Sequence, residues 1–401
     1  MRPGGWAAWA LLPLLGAFLP SALYAEDVVL EEPPRATARL DVLARGWTLK
    51  KGGSSDVKVS EVATPLRARA RVARGTEVFL CLPAAIASYK GDGESDFSGL
   101  VDWTLGASLR LDEGRIRLGA SVGIPTGKAP LDSDERTVAD VAANRILGFP
   151  VKRLGEGLDL GVNAARVFLP TRKIAFSVGA GYLLKGEYDF LQTGEEDVRF
   201  KPGDEVFAGA GAEGETSVGE AVLTLRADGR YRLFSKDERN GEAFFEEGDQ
   251  VEIIGSAGLL FPSARRVDVR LFVVFKGEGS EAGEFGEASL DSLSLERYLL
   301  QSLTGDYQEA VVWYTHPVAD NFGLLATGSV ANYSEYPATA GATGNRLLGS
   351  ARIWEFGGGG FLRVSSHYEL LLRGAYLSGN AEDGAVDLSG YDFSAGLQWT
   401  Y

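Results

Sequence analysis

Two histidines, His316 and His367, are the only imidazole bases in a chain of 401 residues. Hydrolases that attack through a serine or a carboxylate mostly rely on such a base, oriented by a third group. The sequence has no CxxC, HExxH, G-x-S-x-G or phosphate-cradling motif. The single cysteine, Cys81, has no partner for an intramolecular disulfide. Two carboxylate pairs, Glu195-Glu196 and Glu246-Glu247, stand in polar connecting segments. They are expected to be solvated there, with bridging of divalent cations or lipopolysaccharide as the alternative. No catalytic residue, metal site or cofactor follows from these side chains.

The denser chemistry is a set of charged side chains at every second position. Arg226, Asp228, Arg230 and Arg232 form one run, and Arg266, Asp268 and Arg270 another. Arg115 and Arg117, then Glu369 and Arg373, repeat the spacing. A guanidinium keeps its charge at any working pH and grips carboxylates through a planar fork. In an extended strand, alternate residues share one face. These groups therefore line one surface, where they bind anions or bind one another.

The intervening residues show what lies on the opposite surface. Leu223, Leu225, Ala227, Tyr231 and Leu233 alternate with the first charged run, and Val267, Val269, Leu271, Val273 and Phe275 with the second. Val101, Trp103, Leu105 and Leu109 alternate with Asp102, Thr104, Ser108 and Arg110; Ile116, Leu118, Ala120 and Val122 alternate with Arg115, Arg117 and Ser121. A helical period would mix these faces, so the segments read as strands. Sixteen occur: 37–48, 57–72, 76–89, 100–111, 114–125, 157–169, 173–185, 205–213, 218–234, 249–261, 266–276, 308–316, 322–333, 345–356, 361–378 and 389–401. Many reach the roughly 9–11 tilted residues that cross a bilayer. In 57–72 the apolar parity changes at Thr64-Pro65, which suggests a bulge. If the first two segments lie outside the wall, the count is fourteen.

The connections alternate short and long. Short ones include 73–75, Asp112-Glu113, 170–172, 262–265, 317–321 and Gly357 to Gly360; long ones include 126–156, 186–204, 235–248 and 277–307. This is the pattern of a transmembrane antiparallel β-barrel with short periplasmic turns and long outer loops. Two loops carry helical spacing. Val138, Val141, Ala142, Arg145 and Ile146 mark 133–147, and Leu290, Leu293, Leu299, Leu300 and Leu303 mark 288–304. Each either folds inward and constricts the lumen or caps the outside.

The ends of the chain agree with export. Arg2, the apolar run from Trp6 to Leu19, and Ala25 before Glu26 have the order of a secretory signal peptide. Residues 1–25 are expected to be removed, leaving 26–401 as one barrel domain in the bacterial outer membrane. The last strand carries Tyr391, Phe393, Leu397, Trp399 and Tyr401 on one parity. It resembles the C-terminal signal of outer-membrane proteins, in which a terminal aromatic is read by the barrel assembly machinery; Phe393, Trp399 and Tyr401 carry that resemblance. The net charge of −15 argues against a nucleic-acid partner.

The whole pattern resembles outer-membrane transport barrels. The stretch Gly119 to Lys128, with Ile124-Pro125-Thr126-Gly127, is similar to a strand-end signature of the family linked to meta-pathway phenol degradation. That family is related to the fatty-acid and aromatic-hydrocarbon transporters, so the resemblance implies passage of small hydrophobic or aromatic compounds.

A passive channel for small solutes is the reading these features favour, since about sixteen strands leave room for an aqueous passage. The alternatives are a structural or adhesive barrel without a pore, and a barrel enzyme. Lipid and lipopolysaccharide are the expected surroundings. Inward arginines should include Arg39, Arg45, Arg67, Arg69, Arg71, Arg110 and Arg352 beside those above. The inward acids read from the pattern are fewer: Asp41, Asp102, Asp159, Asp228, Glu252, Asp268, Glu369 and Asp392. A net basic wall would guide anionic solutes; paired arginines and carboxylates would only brace it.

Overall fold

The computed structural model describes residues 35–52, 56–91, 93–193, 196–277, 279–281, 305–334 and 350–401. The expected signal peptide, the 288–304 helix and Glu195 lie outside these residues. Sixteen wall strands are present among them. They are β1 (Ala36–Lys51), β2 (Val57–Ala63 and Leu66–Ala73), β3 (Thr76–Leu82 and Ala84–Lys90) and β4 (Glu94–Leu100 and Trp103–Leu111). Then come β5 (Ile116–Ile124), β6 (Asp159–Thr171), β7 (Ile174–Leu184), β8 (Glu205–Val218), β9 (Ala221–Phe234) and β10 (Gln250–Leu260). The ring is completed by β11 (Arg266–Lys276), β12 (Tyr307–Ala319), β13 (Phe322–Tyr333), β14 (Ala351–Arg363), β15 (Tyr368–Ala381) and β16 (Val386–Thr400). Each pairs antiparallel with its sequence neighbours, and β16 pairs with β1 from Thr37↔Thr400 to Lys51↔Val386. The sheet is closed and has no free edge, the condition for strands to cross a bilayer with every ladder group satisfied.

The alternation places side chains as the pattern requires. Leu105, Leu118, Leu225, Leu271, Phe356 and Phe393 are exposed on the outside. Such an apolar exterior around a closed ring is a lipid-facing surface, and the protein is a bacterial outer-membrane barrel. Tyr182, Tyr231 and Tyr376 share that outer face.

Two local readings of the sequence are corrected. The parity change at Thr64-Pro65 is no bulge. Leu43↔Ala63 and Leu40↔Leu66 keep one register against β1, and Ala63↔Ala85 and Leu66↔Leu82 keep one against β3. Val59, Glu61 and Ala63 point inward like Arg67 and Arg69 below them; only the chemistry of the inner face changes. An irregularity inside the wall does occur in β4. Ala84↔Leu100 and Cys81↔Thr104 differ by one position in register, so Val101-Asp102 forms a bulge. Gly357 to Gly360 is not a turn either, since it lies inside β14 and the chain turns at 364–367. At Gly359 a Cβ would fall 2.0 Å from the Leu372 carbonyl, so glycine there permits close strand approach rather than reversal.

The outer rim is uneven. Residues 125–158 leave the wall after β5 and enter the barrel. They contain α1 (Ser133–Ala142), which begins at a capping box: the Asp132 side chain accepts from the Glu135 N–H, and Glu135 accepts from the Asp132 N–H. A small five-stranded sheet joins three outer loops through Tyr188–Thr193, Glu196–Lys201, Asp237–Arg239, Glu242–Glu246 and Ser280–Glu281.

Candidate functional site

The lumen is built from two halves of opposite chemistry. Its outer half is filled by residues 125–158, a plug made from the chain's own loop. Leu131, Val138, Ala139, Ala143, Val151 and Leu154 pack on Leu43, Ala63, Ala85, Ala87 and Phe97 of β1 to β4. On the other side, Ala142, Ile146, Leu147 and Phe149 meet Val274, Tyr307, Tyr333 and Ile353 of β11 to β14. The plug thus spans the barrel from wall to wall. The inner faces of β1 to β4 and β12 to β16 turn apolar at its level, which accounts for the parity change in β2. The outer-loop sheet covers it: Tyr188, Phe190 and Phe200 join the same packing, and Arg153 lies 4.4 Å over the Phe190 ring.

The Pro125-Thr126-Gly127 stretch directs the chain inward. The Thr126 hydroxyl donates to the Val101 carbonyl at 3.1 Å and accepts from the Trp103 N–H at 3.1 Å. The Asp102 carboxylate accepts from the Gly127 N–H at 2.8 Å and the Glu156 N–H at 2.6 Å. Both ends of the plug are thereby bolted to the β4 bulge. A Cβ on Gly127 would fall 1.9 Å from the Leu154 carbonyl, so the two plug ends touch through a residue without a side chain. Further anchors come from β1 and β2. Trp47 Nε1 donates to the Leu147 carbonyl at 2.8 Å, Arg45 to the Gly148 carbonyl at 2.7 Å, and the Val151 N–H to Glu61 at 3.0 Å.

Below the plug, and beside it along β8 to β10, the wall is a ladder of charge pairs. Arg39 and Arg67 share Asp41; Arg45 pairs with Asp392, Arg110 with Glu77 and Arg226 with Asp228. Arg230 and Arg232 meet Glu252, and Arg232 also meets Glu205. Arg266 pairs with Asp268, Arg363 with Glu369 and Arg373 with Glu355. Arg270 stacks 5.8 Å over Phe272. Arg117 faces a recess that also touches Ser177, Asp228, Arg230 and Glu252, whereas Arg115 stands exposed at the short turn before β5. Near the short-turn rim the side chains of Arg39, Arg266 and Glu369 are 29–35% exposed. Higher up, those of Arg45, Arg232 and Arg373 fall to 12–15%. The passage therefore opens toward the periplasm and closes beneath the plug.

The inward acids are more numerous than the alternation alone indicated. Glu61, Glu77, Glu205, Glu213, Glu309 and Glu355 stand at inward positions as well, so the wall is not strongly basic. Arg352 is corrected to the outer face, where it is exposed and donates to Asn332 at 2.7 Å. His316 meets Tyr314 at 3.2 Å near the end of β12, and His367 meets the Thr400 carbonyl at 2.9 Å in the 364–367 turn. Both lie at the short-turn rim, where His367 ties the turn to the end of β16. Phe393 faces lipid, and the Trp399 and Tyr401 rings stack 6.1 Å apart.

Glu247 departs most from expectation. It is not solvated but reaches down from the loop before β10 into the upper lumen, to Lys276 at 3.4 Å and Arg145 at 3.7 Å. Burial would raise its carboxyl pKa, yet Lys276, Arg145 and Arg232 hold it below the ordinary carboxylate value. Burial pushes the plug residue Lys152 down to about 8, and Arg145 adds to the shift. Burial also raises Asp237, in the outer-loop sheet, to about 7 against the pull of the Gly203 N–H.

No family model matches the chain, and no curated protein matches it. Among solved structures it is similar to an outer membrane channel from Pseudomonas putida F1, at 14% identity over 92% of this chain and 97% of that one, with a TM-score of 0.38. It is also similar to OccK7 (OpdD) of Pseudomonas aeruginosa, at 10% identity over 90% and 98% with a TM-score of 0.43. A BenF-like porin from Pseudomonas fluorescens Pf-5 shares 8% identity over 92% and 99%, with a TM-score of 0.41. These likenesses are of barrel architecture.

Proposed function

We propose that this barrel is a passive outer-membrane channel for small organic anions with an apolar body, gated by residues 125–158. The observation that carries the reading is the division of the lumen. A charge-lined vestibule open to the periplasm ends at a plug that belongs to the chain itself and is docked by a few hydrogen bonds and apolar contacts. A ring of sixteen strands is wide enough to conduct once such a segment moves. The ladder arginines are mostly matched by carboxylates, so they keep the vestibule polar and braced. Anion preference is concentrated where the plug meets the wall, around Arg145, Lys152 and Lys276. The apolar residues beside them, Val274 and Tyr307, suit a solute that carries more than its charge. The Pseudomonas putida neighbour is itself an outer membrane channel.

The test is replacement of residues 129–151 by a short Gly-Ser linker, followed by conductance in planar bilayers. The folded variant is expected to conduct several-fold more than the parent, with a weaker chloride preference under a KCl gradient than the open parent, because Arg145 leaves with the segment. A variant that folds but remains silent would overturn the channel reading and leave a closed structural barrel, the alternative that the apolar filling of the outer lumen favours.

A further inference from the structure

The upper lumen holds three cations around one loop-borne carboxylate. Glu247 Oε1 accepts from Gln250 Nε2 at 2.7 Å and from Lys276 Nζ at 3.4 Å. Arg145, just beyond α1, brings a guanidinium nitrogen to 3.7 Å. Lys152, farther along the plug, stands within electrostatic reach of Glu156, Glu247, Arg145 and Lys276. Arg232 also acts on Glu247, but its guanidinium already meets Glu205 and Glu252. Elsewhere in the lumen arginines meet carboxylates fixed on wall strands. Here the carboxylate that meets both Arg145 and Lys276 hangs from an outer loop, so it can leave without unravelling a strand and without moving the plug. Removing a carboxylate from a desolvated cation cluster is strongly unfavourable unless another anion takes its place.

The surroundings say what kind of anion fits. Val274 lies two residues below Lys276 on the same inward face and packs with Ile146, Leu147, Tyr307 and Tyr333. A ligand reaching the cations meets aromatic and aliphatic side chains next to them. We infer that Glu247 is a tethered stand-in for a solute carboxylate: an organic carboxylate with an apolar body binds at Arg145, Lys152 and Lys276 by displacing Glu247, and the exchange releases the loop before β10 from the plug. The exchange swaps one set of charge-assisted hydrogen bonds for another, so the cluster is never left uncompensated. A short tether holds its group at an effective concentration in the millimolar range, so solute at comparable concentration displaces it. The gating half of this inference rests on the channel reading; the binding site does not.

The experiment uses the full chain folded in detergent, with benzoate as probe and calorimetry as readout. Glu247→Gln removes the internal competitor, and benzoate is expected to bind about tenfold tighter than to the parent. Glu247→Asp, one methylene shorter, should fall between the two. The double variant Lys152→Met/Lys276→Met should lose saturable binding, and acetate should bind the parent more weakly than benzoate. Heat-modifiable migration in gels confirms that each barrel is folded; should Glu247→Gln fail to fold, Glu247→Asp carries the comparison. Benzoate binding that is no tighter in the folded Glu247 variants would overturn the site, whatever the conductance. Tighter binding with benzoate-dependent opening of the parent in bilayers supports both halves. Tighter binding in a barrel that stays silent even without its plug would support the site and overturn the channel reading.

Discussion

Leu271 sits at the centre of β11, and its side chain points to lipid. Its neighbours on the strand, Arg270 and Phe272, point to the lumen. Leu271→Arg should lower the folding free energy in bilayers by about 2–4 kcal/mol, measured by reversible urea unfolding. An unchanged value would mean that the strand's faces are exchanged, as they are by a slip of one residue. A second residue sets a pH dependence outside the membrane. Asp237 accepts the Gly203 N–H at 2.6 Å, and burial followed by the nearby Glu247 opposes its ionisation. Its pKa in the folded protein, about 7, is above the ordinary carboxylate value. Its contribution is therefore complete below that ordinary value and is lost as pH rises through about 7. Amide exchange across the outer-loop sheet, corrected for its intrinsic pH dependence, should accelerate between about pH 4 and 7 and level off above, and Asp237→Asn should flatten that profile. Exchange that slows with rising pH would contradict the assignment.

At the scale of elements, the plug is the piece whose stability can be tuned without touching the wall. Trp47→Phe leaves the buried Leu147 carbonyl without its donor, a loss of about 1–3 kcal/mol. Because the contact joins plug to wall, the loss should appear as an open probability raised about five-fold or more, with barrel stability little changed. Equal loss of barrel stability and no change in gating would place the bond in the wall's own economy. Gly127→Ala forces apart the two plug ends and should make residues 125–158 sensitive to added protease while the barrel stays heat-resistant. The helix inside this plug was readable, because Val138, Ala142 and Ile146 keep helical spacing and Asp132 and Glu135 cap its start. Its inward course was not, because an apolar helical face says only that something covers it. The parity change in β2 held the missing information: Val57 and Val59 face inward and are apolar, which makes sense only if the lumen beside them is filled. The run Gly357 to Gly360 misled for the opposite reason, since glycine serves both turns and closely packed strands.

At the scale of the molecule, the wall was plain from the sequence because lipid and lumen impose contrary demands on alternate residues, and that contrast survives over sixteen strands. The balance of charge inside was not plain. Glu205, Glu309 and Glu355 sit near strand ends or amid apolar neighbours, where the alternation does not single out a carboxylate until its arginine appears on the next strand. The seam where the ring closes has a consequence of its own. β1 and β16 bring together residues more than three hundred positions apart, and contacts of such separation form late in folding. Arg45, on β1, holds Asp392 of β16 with one part of its guanidinium and the Gly148 carbonyl of the plug with another. The plug's berth is thus incomplete until the two end strands have zipped together. Asp392→Ala should separate the events in time, with heat resistance of the barrel gained before residues 125–158 become shielded from protease in a refolding time course. Simultaneous gain would show that the berth does not need the seam. In the parent chain the cork is therefore expected to seat no sooner than the cylinder closes, so that a nascent barrel never offers a finished berth before it has a finished wall.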